Sequence, residues 1–182
     1  MAGTGSKSDL RRAVATRRRS RPQAEREAAA RDLCTRVLTL PEVSVALTVA
    51  AYASYPSEPG TAPLREALVA RGVRVLLPVL LEDRDLDWVE DTGSAGSAGP
   101  AGLAAIGRAD VVICPATAVT STGARLGRGG GSYDRALTRV AASSLVVALV
   151  YDDELVDAVP TEAHDRPVDA VVTPHRTLRS TR

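Results

Sequence analysis

Apolar runs that are typical of buried strands alternate with amphipathic stretches along the chain. The runs predict strands at residues 45–52, 73–77, 86–89, 109–114, 145–150 and 168–173. Helices are predicted between them, at residues 63–70 behind the N-cap Thr61 and at 132–142, and before them as two consecutive helices at 8–40. Pro22 opens the second of those two helices and Pro41 closes it. This order predicts an α/β fold with a mainly parallel sheet, helices on both faces, and ligands beyond the carboxyl ends of the strands.

Length and charge narrow the class of protein. The 182 residues fit one domain, 1–182, and no apolar run approaches the roughly 18 residues of a membrane span. The polar start lacks the apolar stretch of a secretory signal, so we expect a cytoplasmic protein without a membrane partner. A net charge of +1 argues against a chain that coats nucleic acid as a whole, although arginines crowd the first helix.

The cysteines, the histidines and one biased segment suggest no chemistry of their own. Cys34 and Cys114 have no C-x-x-C spacing, so we expect two reduced core residues. His164 and His175 are not spaced as metal ligands and are expected at the surface or in turns. The Gly/Ser/Ala-rich residues 91–102 are expected to form a flexible surface loop.

The candidate chemistry lies in a glycine-rich loop, residues 125–131, that leads directly into a helix. Its glycines let successive backbone N–H groups face one anion, and the helix start adds partial positive charge, with Ser132 as the expected cap. Arg125 and Arg128 add full charges that suit phosphate. The loop is neither a Walker loop nor a dinucleotide fingerprint, and a mobile glycine hairpin with solvated arginines is the alternative.

The segment Arg125-Leu-Gly-Arg-Gly-Gly-Gly-Ser-Tyr-Asp-Arg135 resembles the R-L-G-x-G-x-G-Y-Y-D signature of the 5-formyltetrahydrofolate cyclo-ligases, also called methenyltetrahydrofolate synthetases. Ser132 stands where that signature has the first of two tyrosines, and the segments 91–102 and 119–120 also depart from the family pattern. Other landmarks of the family follow in order along the chain, namely Lys7, Arg11, Glu58, Thr61, Pro115 and Asp169.

The resemblance implies a fold, a reaction and a site. The fold would be a three-layer α/β/α sandwich similar to the NagB/RpiA/CoA transferase-like fold. The reaction would close 5-formyltetrahydrofolate to 5,10-methenyltetrahydrofolate, with ATP as co-substrate and Mg²⁺ as cofactor. The implied catalytic residues are Arg125, Arg128 and Tyr133, and the implied metal ligands are Asp134 and Asp169. ATP would be bound by Lys7, Arg11, Arg125, Leu126, Gly127, Arg128, Gly129, Gly130, Gly131, Ser132 and Tyr133, and the folate by Ala53, Glu58, Arg128 and Ser132.

Four of these residues also have an ordinary structural interpretation. Lys7 and Arg11 share a helix face and could both be solvated, Asp134 could be a helix-dipole partner, and Glu58 an exposed turn carboxylate. Three alternative functions remain at this point: a divergent nucleotide-binding protein, a nucleic-acid-binding module built on the first helix, and a sugar-phosphate isomerase or acyl-CoA transferase. We expect small-molecule substrates, no nucleic acid and a monomer.

Overall fold

The computed structural model describes residues 6–93, 99–162 and 165–180, and one sheet runs through the centre of the protein. Its seven strands within those ranges are β1 Thr48–Ala50, β2 Arg74–Leu80, β3 Leu86–Glu90, β4 Val111–Pro115, β7 Leu145–Leu149, β8 Ala170–Val172 and β9 Thr177–Arg179, while β5 Ala118–Val119 and β6 Arg125–Leu126 form a separate hairpin. The order of the seven strands across the sheet is β3-β2-β1-β4-β7-β8-β9. The five inner strands are parallel, and β3 and β9 pair antiparallel at the two edges. The predicted mainly parallel sheet is confirmed.

Helices cover both faces of this sheet. The helices are α1 Lys7–Ser20, α2 Gln23–Leu38, α3 Pro41–Ser44, α4 Ala62–Ala70 and α5 Ser132–Leu137, with 3₁₀ helices Leu103–Arg108 and Asp152–Glu154. On one face, side chains of α2 and α4 such as Leu33 and Leu68 pack on the sheet. On the other, Ile106 and Ala136 do so from the first 3₁₀ helix and α5. The result is the predicted three-layer arrangement.

The first strand is shorter than its apolar run suggests. Val45 and Leu47 are 77% and 79% exposed, because they belong to the turn between α3 and β1. Asp110 fixes that turn by accepting hydrogen bonds from the backbone N–H groups of Leu47 and Thr48 at 2.8 and 2.9 Å. The prediction of a strand at 45–52 is therefore wrong at its start.

The predicted caps and the length of α5 also need correction. Gly131, at φ 70°, occupies the N-cap of α5, and Ser132 is the first helical residue. The helix ends at Leu137 and not at 142, and the Thr138 hydroxyl donates to the Arg135 carbonyl at 2.7 Å, a local bond that competes with helix continuation. Thr61 holds the N-cap position of α4, but its hydroxyl donates to the Tyr52 carbonyl.

Three short elements lack a pattern that predicts them. Pro41 opens α3, where a simple end of the second helix was expected. The loop between β4 and α5 contains a two-stranded antiparallel hairpin, β5 Ala118–Val119 with β6 Arg125–Leu126. The edge strand β9 has exposed Thr177 and Arg179, so it carries no continuous apolar run.

The structure also bears on the expectations for the cysteines, for membrane spans and for residues 91–102. Among the described residues, Cys34 and Cys114 are free, the first partly and the second fully buried. In the part of the chain that the structure describes, no helix has the length and apolar character needed to cross a bilayer. His164 and the centre of the expected 91–102 loop, residues 94–98, lie outside the described residues.

The strand order creates a crevice between β1 and β4. From β1 the chain passes through α4 to β2 on one side, whereas β4 pairs with β1 on the other side. The connections that follow β1 and β4 therefore leave in opposite directions. Such a place is a topological switch point, and open parallel sheets bind ligands there, at the carboxyl ends of the strands. Tyr52 follows β1 here, and Pro115 ends β4.

Candidate active site

A cleft of about 750 Å³ opens at this switch point. It contains every predicted ATP-binding and substrate-binding residue, together with side chains from α1, β2, β3 and the segment before β8. Its lining consists of Lys7, Arg11, Tyr52, Ala53, Tyr55, Glu58, Pro78, Leu80, Leu86, Pro115, Arg125, Leu126, Gly127, Arg128, Gly129, Gly130, Gly131, Ser132, Tyr133, Asp134, Glu162 and Asp165.

The glycine loop forms one wall, entered from β6 and left through α5. Gly129 and Gly131 have φ angles of 102° and 70°, a conformation that suits glycine and exposes backbone N–H groups. Arg11 lies against the loop: its Nε donates to the Gly127 carbonyl at 2.9 Å, and a Cβ at Gly129 would come within 3.3 Å of its Cζ. Helix α1 therefore braces the loop, and any side chain at position 129 would disturb that contact.

Arg125 lies beneath the loop and not at its surface. Its side chain is 2% exposed, and its Nη2 donates to Asp134 Oδ1 at 2.5 Å. Its Nη1 reaches the Pro115 carbonyl at 3.4 Å. The guanidinium thus joins β6, the end of β4 and the first turn of α5, so its direct effect is to hold the loop in shape.

Arg128 is the exposed cation of the loop. Its side chain is 62% exposed, and its Cζ lies 4.5 Å from the centre of the Tyr55 ring. Its Nη1 is 3.7 Å from Glu58 Oε1, too far for a tight hydrogen bond. Glu58 itself is buried and accepts from the Tyr55 N–H at 3.0 Å. An exposed, loosely paired cation therefore lies beside a buried carboxylate at the cleft.

Lys7 places a second cation at the cleft. Its Nζ lies 2.8 Å from Glu162 Oε1 and 3.1 Å from Asp165 Oδ2. The pKa of Lys7 is raised above its ordinary value, chiefly because Lys7 donates a hydrogen bond to Glu162 and also because it pairs with Asp165. The lysine thus stays charged across the neutral range and can bind an anion.

Tyr133 is an uncharged donor in the cleft. Burial raises the pKa of its phenol well above the ordinary value, so it stays protonated. Its hydroxyl is buried and has no hydrogen-bond partner among the described residues. A buried hydroxyl without a partner is costly, and a ligand oxygen in the cleft would satisfy it.

The two predicted metal ligands lie in different surroundings, and Asp134 alone of the two is part of the cleft lining. Asp134 lines the cleft, and the hydrogen bonds it accepts from Arg125 and from the Arg166 N–H both use Oδ1. Asp169 precedes β8, pairs with the amino end of β7 by accepting from the Val146 N–H at 2.9 Å, and is not part of the cleft lining. Asp169 therefore lies at the amino end of β8, whereas the cleft opens at the carboxyl ends of the parallel strands.

A magnesium ion fits Asp134 only in company with a phosphate. Among residues 6–93, 99–162 and 165–180, no three His, Cys, Asp or Glu side chains are grouped to hold a metal ion. Magnesium accepts one or two carboxylates together with phosphate oxygens and water. Asp134 Oδ2 can therefore serve as one such ligand.

An apolar wall faces the glycine loop, and the sequence pattern did not indicate its role. Pro78 and Leu80 come from the end of β2 and Leu86 from the start of β3, and Leu80 is 65% exposed. Glu162 and Asp165 were likewise missed. The signal that could have found the wall is the place of Pro78 after a predicted buried strand, where carboxyl ends meet.

Comparison with known proteins agrees with this geometry. The sequence matches the 5-formyltetrahydrofolate cyclo-ligase family over residues 3–174. It is 42% identical to a 5-formyltetrahydrofolate cyclo-ligase of Mycolicibacterium smegmatis, over 94% of this chain and 95% of that protein. It is 32% identical to the enzyme of that name from Escherichia coli, over 90% of this chain and 97% of that protein.

Solved structures show the same fold. The 5,10-methenyltetrahydrofolate synthetase of Aquifex aeolicus superposes with a TM-score of 0.81 at 26% identity, covering 95% of this chain and 92% of that one. A synthetase from Mycoplasma pneumoniae gives a TM-score of 0.78 at 17% identity, over 93% and 99% of the two chains. With its glycine loop, basic first helix and switch-point cleft, this chain belongs to the 5-formyltetrahydrofolate cyclo-ligase family.

Proposed function

We propose that the cleft binds ATP and 5-formyltetrahydrofolate together and closes the folate to 5,10-methenyltetrahydrofolate, releasing ADP and phosphate. The observation that carries the proposal is the meeting of the glycine loop with cations from α1 and the loop itself at the carboxyl ends of β1 and β4. Backbone N–H groups at a helix start, joined by lysine and arginine, are a general means of holding polyphosphate.

ATP is assigned to the glycine-loop end of the cleft. The phosphates would lie on residues 127–131, with Lys7 at one side and Arg128 at the other, while Arg11 and Arg125 keep the loop in place. Support comes from the bonds that Arg11 makes to Gly127 and Arg125 makes to Asp134, which leave the loop's outer face to the cleft. Positioning and charge neutralisation carry most of a phosphoryl transfer.

The folate is assigned to the space between the loop and residues 53–58. The formyl oxygen attacks the terminal phosphorus of ATP, and the bond from that phosphorus to ADP breaks. The neighbouring substrate nitrogen then attacks the phosphorylated carbon, loses its proton, and inorganic phosphate leaves. Glu58 and Tyr133 would hold the formyl region by hydrogen bonds, Ala53 and Ser132 would leave room for the ring, and Arg128 would neutralise the transferred group.

Magnesium, when bound, would neutralise charge on the phosphates, and Asp134 is the residue of this chain that would hold it. The two free cysteines fit a reducing compartment, so we propose that the enzyme works in the cytoplasm.

The structure gives the nucleic-acid alternative little support. Several arginines of α1 and its C-terminal end are used within the chain: Arg18 pairs with Glu154, and Arg17 and the following Arg21 both pair with Asp153. A surface that binds nucleic acid would present its cations to solvent.

Turnover of the pure protein tests the proposal. With Mg²⁺-ATP and 5-formyltetrahydrofolate, we expect the near-ultraviolet absorbance of the methenyl product to rise, with ADP released in equal amount. The same mixture without ATP should stay flat. Product formation that does not require ATP, or tight ATP binding without product, would contradict the proposal.

A further inference from the structure

The turn between β2 and β3, residues 81–85, is bonded to the segment that follows the glycine loop. Asp85 in this turn is 8% exposed and faces Arg139. Arg139 Nη1 donates to Asp85 Oδ1 at 2.9 Å, and its Nη2 donates to Oδ2. Asp85 Oδ1 also accepts from the Leu86 N–H at 2.8 Å. The carboxylate therefore connects the first residue of β3 to the segment just after α5.

A second arginine, one helical turn earlier, makes a parallel connection. Arg135 Nη2 donates to the Arg84 carbonyl at 2.6 Å and to the Gly130 carbonyl at 3.3 Å. Arg84 has a positive φ of 65°, the single such non-glycine residue in the described ranges. One guanidinium thus contacts both the glycine loop and the β2–β3 turn.

These contacts fix the apolar wall relative to the glycine loop. The turn joins Leu80 at the end of β2 to Leu86 at the start of β3, and both side chains line the cleft. Leu80 is mostly exposed, so neighbouring core residues do little to hold it. A bidentate arginine–carboxylate pair is directional, and it would set how far this wall lies from the loop.

The pair is ionised over the whole working range of an enzyme. The hydrogen bond from Arg139 holds the pKa of Asp85 below its ordinary value, and the carboxylate raises the pKa of Arg139 in return. The pair is therefore a constant structural contact near neutral pH.

We propose that Arg139 and Asp85, assisted by Arg135, are positioning residues that set the width of the cleft between the apolar wall and the glycine loop. Their bonds determine the affinity for the ring-bearing part of the folate substrate, while the phosphate contacts on the loop's own backbone are left unchanged. The inference rests on the proposed function: with the formyl region of the folate held near residues 53–58, it places the rings against the apolar wall of the same cleft.

Steady-state kinetics of Arg139→Gln test it. We expect KM for 5-formyltetrahydrofolate to rise about tenfold, the loss that a released charge-assisted contact causes. We expect kcat at saturation to stay within about twofold and KM for ATP to change little, because a lost uniform binding contact alters KM alone. Asp85→Asn should match this result, and the double variant should be no worse than either single variant, since both remove one interaction.

Arg74→Gln is the matched control. Arg74 in β2 pairs with Glu90 in β3 at 2.9 Å. The variant therefore breaks an arginine–carboxylate pair between the two strands that the turn joins, at the end of these strands far from the turn. The KM of Arg74→Gln for the folate should equal that of the wild type. If Arg139→Gln fails to fold, Asp85→Asn, which leaves the Arg139 side chain in place, replaces it with the same expected rise in KM.

The outcomes separate the two proposals. Wild-type protein without ATP-dependent methenyl product removes the proposed function, and this inference falls with it. Normal wild-type turnover, with folded Arg139→Gln at wild-type KM or with only kcat reduced, overturns the inference alone. A rise of KM in Arg74→Gln equal to that in Arg139→Gln would also overturn it, since the effect would then come from general loosening of the strands.

Discussion

Two arginine–glutamate pairs lie near the carboxyl ends of the strands, and they differ in how far water reaches them. Arg18 and Glu154 are 8% and 1% exposed, and Arg18 Nε and Nη2 donate to the two carboxylate oxygens at 2.6 and 2.8 Å. Arg128 is 62% exposed and lies 3.7 Å from Glu58. The first pair is complete without a ligand, whereas the second leaves its cation able to bind one.

The difference shows that residue type alone does not indicate a functional arginine. Arg18 also donates to the Ala116 carbonyl at 2.8 Å, so all three of its contacts join α1 to the segments after β4 and β7. Arg128 touches the face of Tyr55 and the edge of a carboxylate, contacts that a phosphate can replace. Buried, saturated arginines hold the fold, and exposed, loosely paired arginines are the ones that can act on substrate.

Breaking the buried pair should have the largest effect, a loss of stability. Arg18→Met leaves the Glu154 carboxylate buried without its cation, and we expect the free energy of unfolding to fall by about 3–5 kcal/mol. Urea unfolding measures this loss, and specific activity of the remaining folded protein should be unchanged. The exposed neighbour Arg19→Met is the control, and Arg18→Met/Glu154→Leu should recover most of the loss. Equal stability of Arg18→Met and the wild type would contradict the structural assignment.

Removing the exposed cation should lower activity and leave stability unchanged. We expect Arg128→Ala to lower kcat/KM about 100-fold, as removal of one transition-state donor commonly does, with no change in melting temperature. Methenyl formation and thermal unfolding measure the two effects. Arg12→Ala, an exposed arginine of α1 that pairs only weakly with Asp9, is the matched control. Activity of Arg128→Ala within twofold of the wild type would remove Arg128 from the site.

Lys7 lies between these extremes, since it is paired but remains at the cleft. Lys7→Met removes a cation and leaves Glu162 and Asp165 facing the incoming phosphates, so we expect the Kd for ATP to rise about tenfold. Calorimetric titration with Mg²⁺-ATP measures it, with Arg12→Met as the control. An unchanged Kd would show that Lys7 serves only its two acidic partners.

The smallest effect concerns pH and Asp85. Because Arg139 lowers the pKa of folded Asp85 below the ordinary 3.8, the unfolded chain takes up the proton first as pH falls. The stabilisation is therefore complete above pH 3.8 and disappears as the pH falls through the lower folded value. Urea midpoints between pH 5 and pH 3 should fall less steeply in Asp85→Asn than in the wild type, and parallel curves would contradict this.

Local sequence pattern predicted the layers of the fold but not every element. The division of the first two helices at Pro22 and the buried strands β4 and β7 follow from backbone chemistry and continuous apolar runs, and the structure confirms them. The start of β1 was misplaced because Val45 and Leu47 are apolar yet exposed. The edge strand β9 was missed because an edge strand needs no apolar run.

The candidate site was predictable where its chemistry is local. The glycine loop carries its own signal, since closely spaced glycines before a helix favour an anion site, and the loop does line the cleft. The positions of Asp169 and of the acids beside Lys7 relative to the cleft depend on which ends of distant strands meet. The spacing of residues along the chain does not contain that information. The pairing of Asp85 with Arg139 is similar, because a turn and a helix end become neighbours only in the folded sheet.

The position of the cleft between β1 and β4 also bears on how the chain matures. Val49 pairs with Val111 across this junction, and β4 then needs Leu145 and the residues after it as its other neighbour. Contacts so distant along the chain form late, because a long loop must close before they stabilise anything. During synthesis, the basic first helix and the glycine loop therefore leave the ribosome before the cleft between β1 and β4 can form.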